Sequence, residues 1–199
     1  MISSTKNPKV AAAARLRKRA FRDEDRRFLV EGAQGVREAL AADPPAIDTL
    51  FVDDELHELA IRARERGVDV IHAADTVMAR LTSTVTPQGI VGVAGYVDVG
   101  LDAVPPTGCI AVLHEVRDPG NAGTIVRSAD AAGAAAVIFG AASVDVYNPK
   151  TVRACAGSVF HLPVVRDVRR PMRSTRSARA ATGSWRWTRM DRTRSTRPT

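Results

Sequence analysis

Residues 109–133 dictate a strand, a sharp turn and a helix in immediate succession, and no other stretch constrains the fold as tightly. The run Cys109 to His114 (CIAVLH) is apolar and of strand length. Asp118-Pro119-Gly120-Asn121 then has proline where a type II turn fixes φ and glycine where it needs a positive φ. From Thr124 the sequence predicts a helix, closed near Gly133. Together these put Asn121, Arg127 and several backbone N–H groups at the carboxyl edge of a sheet, where α/β proteins bind ligands. Gly120 and Gly123 are not the dinucleotide fingerprint, which needs G-x-G-x-x-G and a later acidic residue. Taken alone, the segment is an ordinary strand-to-helix connector, and Arg127 a salt-bridge partner.

A second constellation lies downstream, after a strand expected over Ala136 to Phe139. Asn148 is placed to cap a helix whose first residue is Pro149, where the missing N–H of proline does no harm. Lys150 and Arg153, three residues apart, share a face of that helix. Gly157-Ser158 ends it, and Val159 to Val165 reads as a returning strand.

The two segments, Val116 to Ala129 and Asp145 to Val164, resemble in order and spacing the first two motifs of the SpoU (TrmH-type) branch of the SPOUT RNA methyltransferases, the second with Cys155 where serine is usual. The front of the chain agrees. Ser3 to Lys9, Phe28-Leu29-Val30-Glu31-Gly32 with a helix to Leu40, Leu81-Thr82-Ser83 and Thr86 to Val91 look like the family's accessory substrate-binding domain. The likeness covers about residues 3–166, and the thiostrepton-resistance type is similar in overall look. It implies an α/β fold: an L30e-like α/β sandwich over 1–97, a linker over 98–108 and a SPOUT (α/β knot) domain over 109–168. It also implies methyl transfer from S-adenosylmethionine to a ribose 2′-hydroxyl of rRNA or tRNA, in a homodimer. Arg127 maps onto the family's catalytic arginine, with orientation and oxyanion stabilisation as its main role. Asn121 maps onto the motif-one asparagine that positions ribose or phosphate. Lys150 and Arg153 either hold a neighbouring phosphate or serve structure.

Charge sharpens the RNA expectation once it is divided along the chain. Of the net +7, residues 169–199 supply +9 through ten arginines and one acid, which leaves 19 basic against 21 acidic side chains before them. Within those, residues 1–27 carry nine cations against three acids. On a helix predicted from Pro8 to Phe21, Arg15, Lys18, Arg19 and Arg22 form one basic stripe. With Lys6, these are the expected phosphate contacts, the alternative being a solvated face. Further elements are expected as helices over 32–42, 54–66 and 75–81 and strands over 49–52, 68–72 and 90–97.

Several classes are excluded as expectations. The longest apolar run, Ala131 to Ala142, is far too short to span a membrane, and no targeting segment is visible. Cys109 and Cys155 fall in predicted core elements without metal spacing, and His57, His72, His114 and His161 are scattered. A reduced, cytoplasmic, metal-free protein follows.

From Arg169 the text changes character. It becomes arginine, serine, threonine, proline and alanine, with Trp185, Trp187, Met172 and Met190 as its large apolar residues. Disorder is the expected state. The resembled family has there a third motif, which threads the trefoil knot and builds most of the cofactor pocket. It is not recognisable in residues 169–199, an SPOUT domain incomplete by this reading, and the abrupt arginine-rich, lysine-free text reads as a shift of reading frame. The alternative function that follows is an RNA-binding protein without catalysis.

Overall fold

The computed structural model describes residues 1–84 and 87–168. The expectations placed on 169–199 (disorder, the missing third motif, the shifted frame) lie outside the described residues.

The first half builds a four-stranded sheet between two layers of helices. The strands β1 (Arg27–Glu31), β2 (Ile47–Val52), β3 (Asp69–His72) and β4 (Ile90–Gly95) lie in the order β1-β4-β2-β3. Strand β4 is antiparallel to both neighbours, while β2 and β3 are parallel. The period of two in each strand decides which layer it feeds. Phe28, Val30, Leu50, Val52 and Ile90 face α3 (Ala33–Ala41) and α4 (Glu58–Glu65). Leu29, Phe51, Val91 and Val93 face α1 (Pro8–Arg15) and α5 (Asp75–Leu81).

The expected single helix over 8–21 is two helices. Helix α1 starts at Pro8 under an Asn7 cap, whose side chain accepts from Lys9 N at 2.9 Å. It stops at Leu16, and α2 (Arg19–Asp25) begins after an extended Lys18 with ψ of 134°. Arg22 explains the break. Its guanidinium turns inward and donates to the carbonyls of Leu16 and Arg17, both at 2.9 Å, closing the open end of α1. The expected stripe therefore has no continuous helix to lie on.

The second half is a parallel sheet of β5 (Ile110–Leu113), β6 (Ala136–Gly140) and β7 (Val164–Val168), in that order among the described residues. Helices α6 (Pro119–Ala131) and α7 (Pro149–Cys155) complete it. The chain from Gly157 does not return at once as a strand. A 3₁₀ turn over Ser158–Phe160 intervenes, and β7 starts at Val164. Cys109 is exposed just before β5, against its expected place in the core, whereas Cys155 is buried and its thiol is pushed up to about 12 by that burial.

The segment expected as a linker is partly tied down. Val99 N donates to Val164 O at 2.9 Å, and a 3₁₀ turn covers Leu101–Ala103. One core runs through both halves, from Phe28, Val30 and Leu40 to Leu113, Val126, Tyr147 and Val152. Tyr147 fastens the junction. Its ring stacks on Tyr96 with centroids 3.9 Å apart, and its hydroxyl accepts from Val97 N and Asp98 N and donates to Asp98 Oδ1, all within 2.9 Å. Burial pushes that phenol far above its ordinary range, so it stays a donor.

Candidate functional site

Helix α6 begins earlier than its sequence predicts. Asp118 is its N-cap, accepting from Asn121 N at 2.7 Å, and Pro119 is its first residue. Asp118 to Asn121 is thus the first helical turn rather than a type II turn. An acidic residue before proline opens either structure, and here the orphan N–H groups of a thirteen-residue helix decide for the cap. The sharp change of direction falls three residues before the cap, at Glu115, whose φ is +57°.

Asn121 and Arg127 are both exposed on α6. Six residues separate them, which is about 9 Å along the axis and roughly a third of a turn around it. They therefore belong to one helix without sharing a stripe. Neither side chain has a hydrogen bond or ion pair among the described residues, where Arg15, Arg19, Arg22, Arg26, Arg27, Arg37, Arg66, Arg153 and Arg166 all meet carboxylates.

The two motifs are locked together by Gly123. A Cβ there would come 2.5 Å from Ala154 Cβ, 2.6 Å from Thr151 O and 2.9 Å from Cys155 N, so only glycine lets α6 and α7 meet. Gly123→Ala gains about 1 kcal/mol of helix propensity against an overpacking penalty of about 1–3 kcal/mol. Two of the three atoms met belong to the α7 backbone and cannot rotate away. The expected result is a net loss of stability, read as a lower midpoint in urea with an unchanged slope.

The other expected contacts divide. Lys150 is exposed in the first turn of α7, whose cap Asn148 accepts from Lys150 N at 3.0 Å. Lys6 and Lys18 are exposed, their side chains without partners among the described residues. Arg153 is engaged: its Nη1 donates to Glu31 Oε2 and Ser83 Oγ, both at 3.0 Å. Arg15 pairs with Asp25 and reaches over the Phe21 ring. Arg22 is 3% exposed and holds Asp145 at 2.6 Å. Arg15 and Arg22, expected as phosphate contacts, are thus engaged by carboxylates of the chain itself. Six of the nine cations before residue 28 meet carboxylates, leaving Lys6, Arg17 and Lys18.

What the sequence did not single out is the ion network across the junction. Arg166 meets Asp23 at 2.9 Å and Asp98 at 3.5 Å, and lies over the Tyr96 ring. His161 sits between Asp130, 2.7 Å from Nδ1, and Glu38, 3.2 Å from Nε2. Burial opposes its charge, but the two carboxylates prevail and raise its pKa. Among the described residues no group of three His, Cys, Asp or Glu is arranged to hold a metal ion, and no helix is long and apolar enough to cross a membrane.

Comparison with known proteins decides what this pairing of motifs is. Residues 108–197 match the SpoU rRNA methylase family, and residues 7–92 match the MRM3-like substrate-binding domain. The chain carries a SpoU methylase domain behind an MRM3-like substrate-binding domain. It is 36% identical over 165 residues to the 23S rRNA (guanosine(2553)-2'-O)-methyltransferase RlmP of Bacillus subtilis, covering 83% of this chain and 64% of the relative. An AdoMet-bound rRNA methyltransferase from Sinorhizobium meliloti superposes with a TM-score of 0.74 at 35% identity, over 85% of this chain and 64% of that one. The AdoMet complex of the SpoU methyltransferase AviRb from Streptomyces viridochromogenes gives 0.70 at 31% identity, over 81% and 63%. The chain thus spans a little under two thirds of these SpoU relatives. The SpoU match runs past the described residues into the stretch where no third motif is recognisable.

Proposed function

We propose that this chain transfers the methyl group of S-adenosylmethionine to a ribose 2′-hydroxyl of ribosomal RNA. The observation that carries the reading is Arg127: an exposed guanidinium on the first SpoU motif helix, without an ion partner among the described residues, where nine of the fifteen described arginines meet carboxylates. A homodimeric state and a cytoplasmic location belong to the same reading and rest on the family.

The described residues offer the cofactor one wall. Gly140, at the carboxyl end of β6, is close enough to Leu113 O that a Cβ would stand 3.3 Å away, so glycine keeps the edge between β5 and β6 uncrowded. When bound, the cofactor supplies an electrophilic methyl on a sulfonium. The protein's part is alignment and charge. Asn121, in the first turn of α6, orients the ribose or its phosphate with a neutral amide. Arg127 faces the 2′-oxygen with fixed guanidinium donors, stabilising the negative charge that grows as the proton leaves to water. Lys150, Lys6 and Lys18 hold phosphates as point charges.

A tritiated-methyl assay on rRNA with calorimetric titration of S-adenosylmethionine tests the whole. RNA binding with neither cofactor binding nor transfer would leave the non-catalytic alternative. The phosphate contacts have their own test. Lys6→Ala, Lys18→Ala and Lys150→Ala together should lower the slope of log affinity against log salt by about one unit for each phosphate left unneutralised. Arg15→Ala, whose charge is spent on Asp25, should leave the slope unchanged.

A further inference from the structure

The sequence pieces that methyl transfer leaves unused converge on one recess. It lies between the N-terminal sandwich and α7, with a volume of about 160 Å³, lined by Ile90, Val152 and Phe160 and by the polar residues Glu31, Gln88 and Arg153. Gly32 shapes it. With φ of +94° and a would-be Cβ 2.8 Å from Gln88 Oε1, this position suits glycine alone. Such a volume is well below the roughly 300 Å³ and more of sites for whole drug-sized ligands. A flat fragment fits it, and a complete cofactor does not.

Of the planar side chains that line it, Glu31, Gln34, Gln88 and Arg153, the acceptor oxygens are engaged and donors remain, while Thr82 and Thr84 add hydroxyls. The Glu31 carboxylate already accepts from Ser83 N, Ser83 Oγ and Arg153 Nη1. Gln88 Oε1 is taken by Ala33 N at 3.0 Å. Among the described residues, Gln88 Nε2 and the Nε and Nη2 of Arg153 have no hydrogen-bond partner. The buried charge of Glu31 is balanced by Arg153, so nothing in the recess calls for a further net charge. Apolar walls, one aromatic ring and planar donors describe a receptor for a neutral heteroaromatic ring with acceptors on its edge.

Building on the RNA reading above, we infer that this recess takes an unstacked nucleobase of the RNA and prefers guanine or uracil. Guanine presents N7 and O6, and uracil its carbonyl oxygens, to Arg153 and Gln88. Adenine and cytosine would turn an amino group toward donors. Transfer to a ribose hydroxyl does not distinguish bases, so a site of this kind supplies selection that the reaction lacks.

The test uses the whole chain and the four ribonucleoside 5′-monophosphates, followed by calorimetry and saturation-transfer NMR. GMP and UMP should bind at least about tenfold more tightly than AMP and CMP, as one good pair of base contacts provides. Gln34→Trp, on the exposed rim, should remove this binding with the melting temperature unchanged. Gln88→Glu keeps an acceptor for Ala33 N and replaces the free donor, so it should shift the preference toward AMP and CMP. Equal binding of all four nucleotides, or GMP binding untouched by Gln34→Trp, overturns the inference. Methyl transfer does not enter these readouts. A chain that binds GMP as expected but transfers no methyl would overturn the proposed activity alone, and active transfer with base-blind binding would overturn the recess alone.

Discussion

Arg127→Lys should lower methyl transfer to rRNA by about 10²–10³-fold, the loss typical when one preorganised donor to a developing oxyanion is removed. Lysine preserves the positive charge, so attraction of RNA phosphates and its salt dependence should hold. What lysine cannot keep is the planar fork that fixes two donors in one geometry. Stability should not change, because Arg127 is exposed and has no hydrogen bond or ion pair among the described residues. The measurement is single-turnover transfer from S-adenosylmethionine at saturating RNA, with RNA affinity determined alongside. A lysine variant that keeps most of its rate would reduce Arg127 to a local positive charge. A variant that loses rate and RNA affinity in parallel would make it a binding residue.

How far such roles were legible in the sequence depends on whether the signal was local. Asn7-Pro8 and Asn148-Pro149 announce helix starts through one mechanism, a side-chain cap followed by a proline at the first position, and both helices begin there. Asp118-Pro119 has the same logic, yet it also opens a turn, and the glycine after it tipped the reading the wrong way. The break between α1 and α2 has no glycine or proline to mark it. Its cause is Arg22 bending back to the Leu16 and Arg17 carbonyls while holding Asp145, which is 123 residues away. No periodicity reports a partner at that separation. The stripe was legible only in part for this reason: Arg15 and Arg19 meet the nearby Asp25 and Asp23, but Arg22 and again Arg19 meet Asp145 and Asp167, which no local count of cations anticipates. One nonlocal feature did leave a trace. Glu31 closes the apolar run Phe28-Leu29-Val30, and a carboxylate in a buried strand requires a partner, which Arg153 and Ser83 provide.

Arg22→Ala discriminates between the two accounts of the amino-terminal cations. If Arg22 served RNA, its loss would weaken binding and flatten the salt slope while the fold stood unchanged. The observed contacts argue for the reverse. Arg22 and Asp145 are 3% and 6% exposed in their side chains, 2.6 Å apart, and the guanidinium also satisfies two backbone carbonyls. Removing one partner of a buried pair typically costs about 3–5 kcal/mol, because the other charge is stranded. Here the lower end applies, since Arg166 Nη1 stands 3.9 Å from Asp145 Oδ1 and takes over part of the compensation. Against a total stability of about 5–15 kcal/mol, a loss near 3 kcal/mol is a large shift of the urea midpoint. Asp145→Asn should lose a comparable amount, because its one oxygen cannot serve both Arg22 Nη2 and Tyr147 N and the buried guanidinium is left without a counter-charge, and the double variant should cost less than the two single losses added. Asp145 opens the second SpoU motif three residues before the α7 cap, so this pair ties the amino-terminal helices to the segment that carries Lys150 and Arg153. A stable Arg22→Ala protein with a flattened salt slope would return the residue to the RNA and leave the placement of α7 to Tyr147 and the Glu31–Arg153 bridge alone.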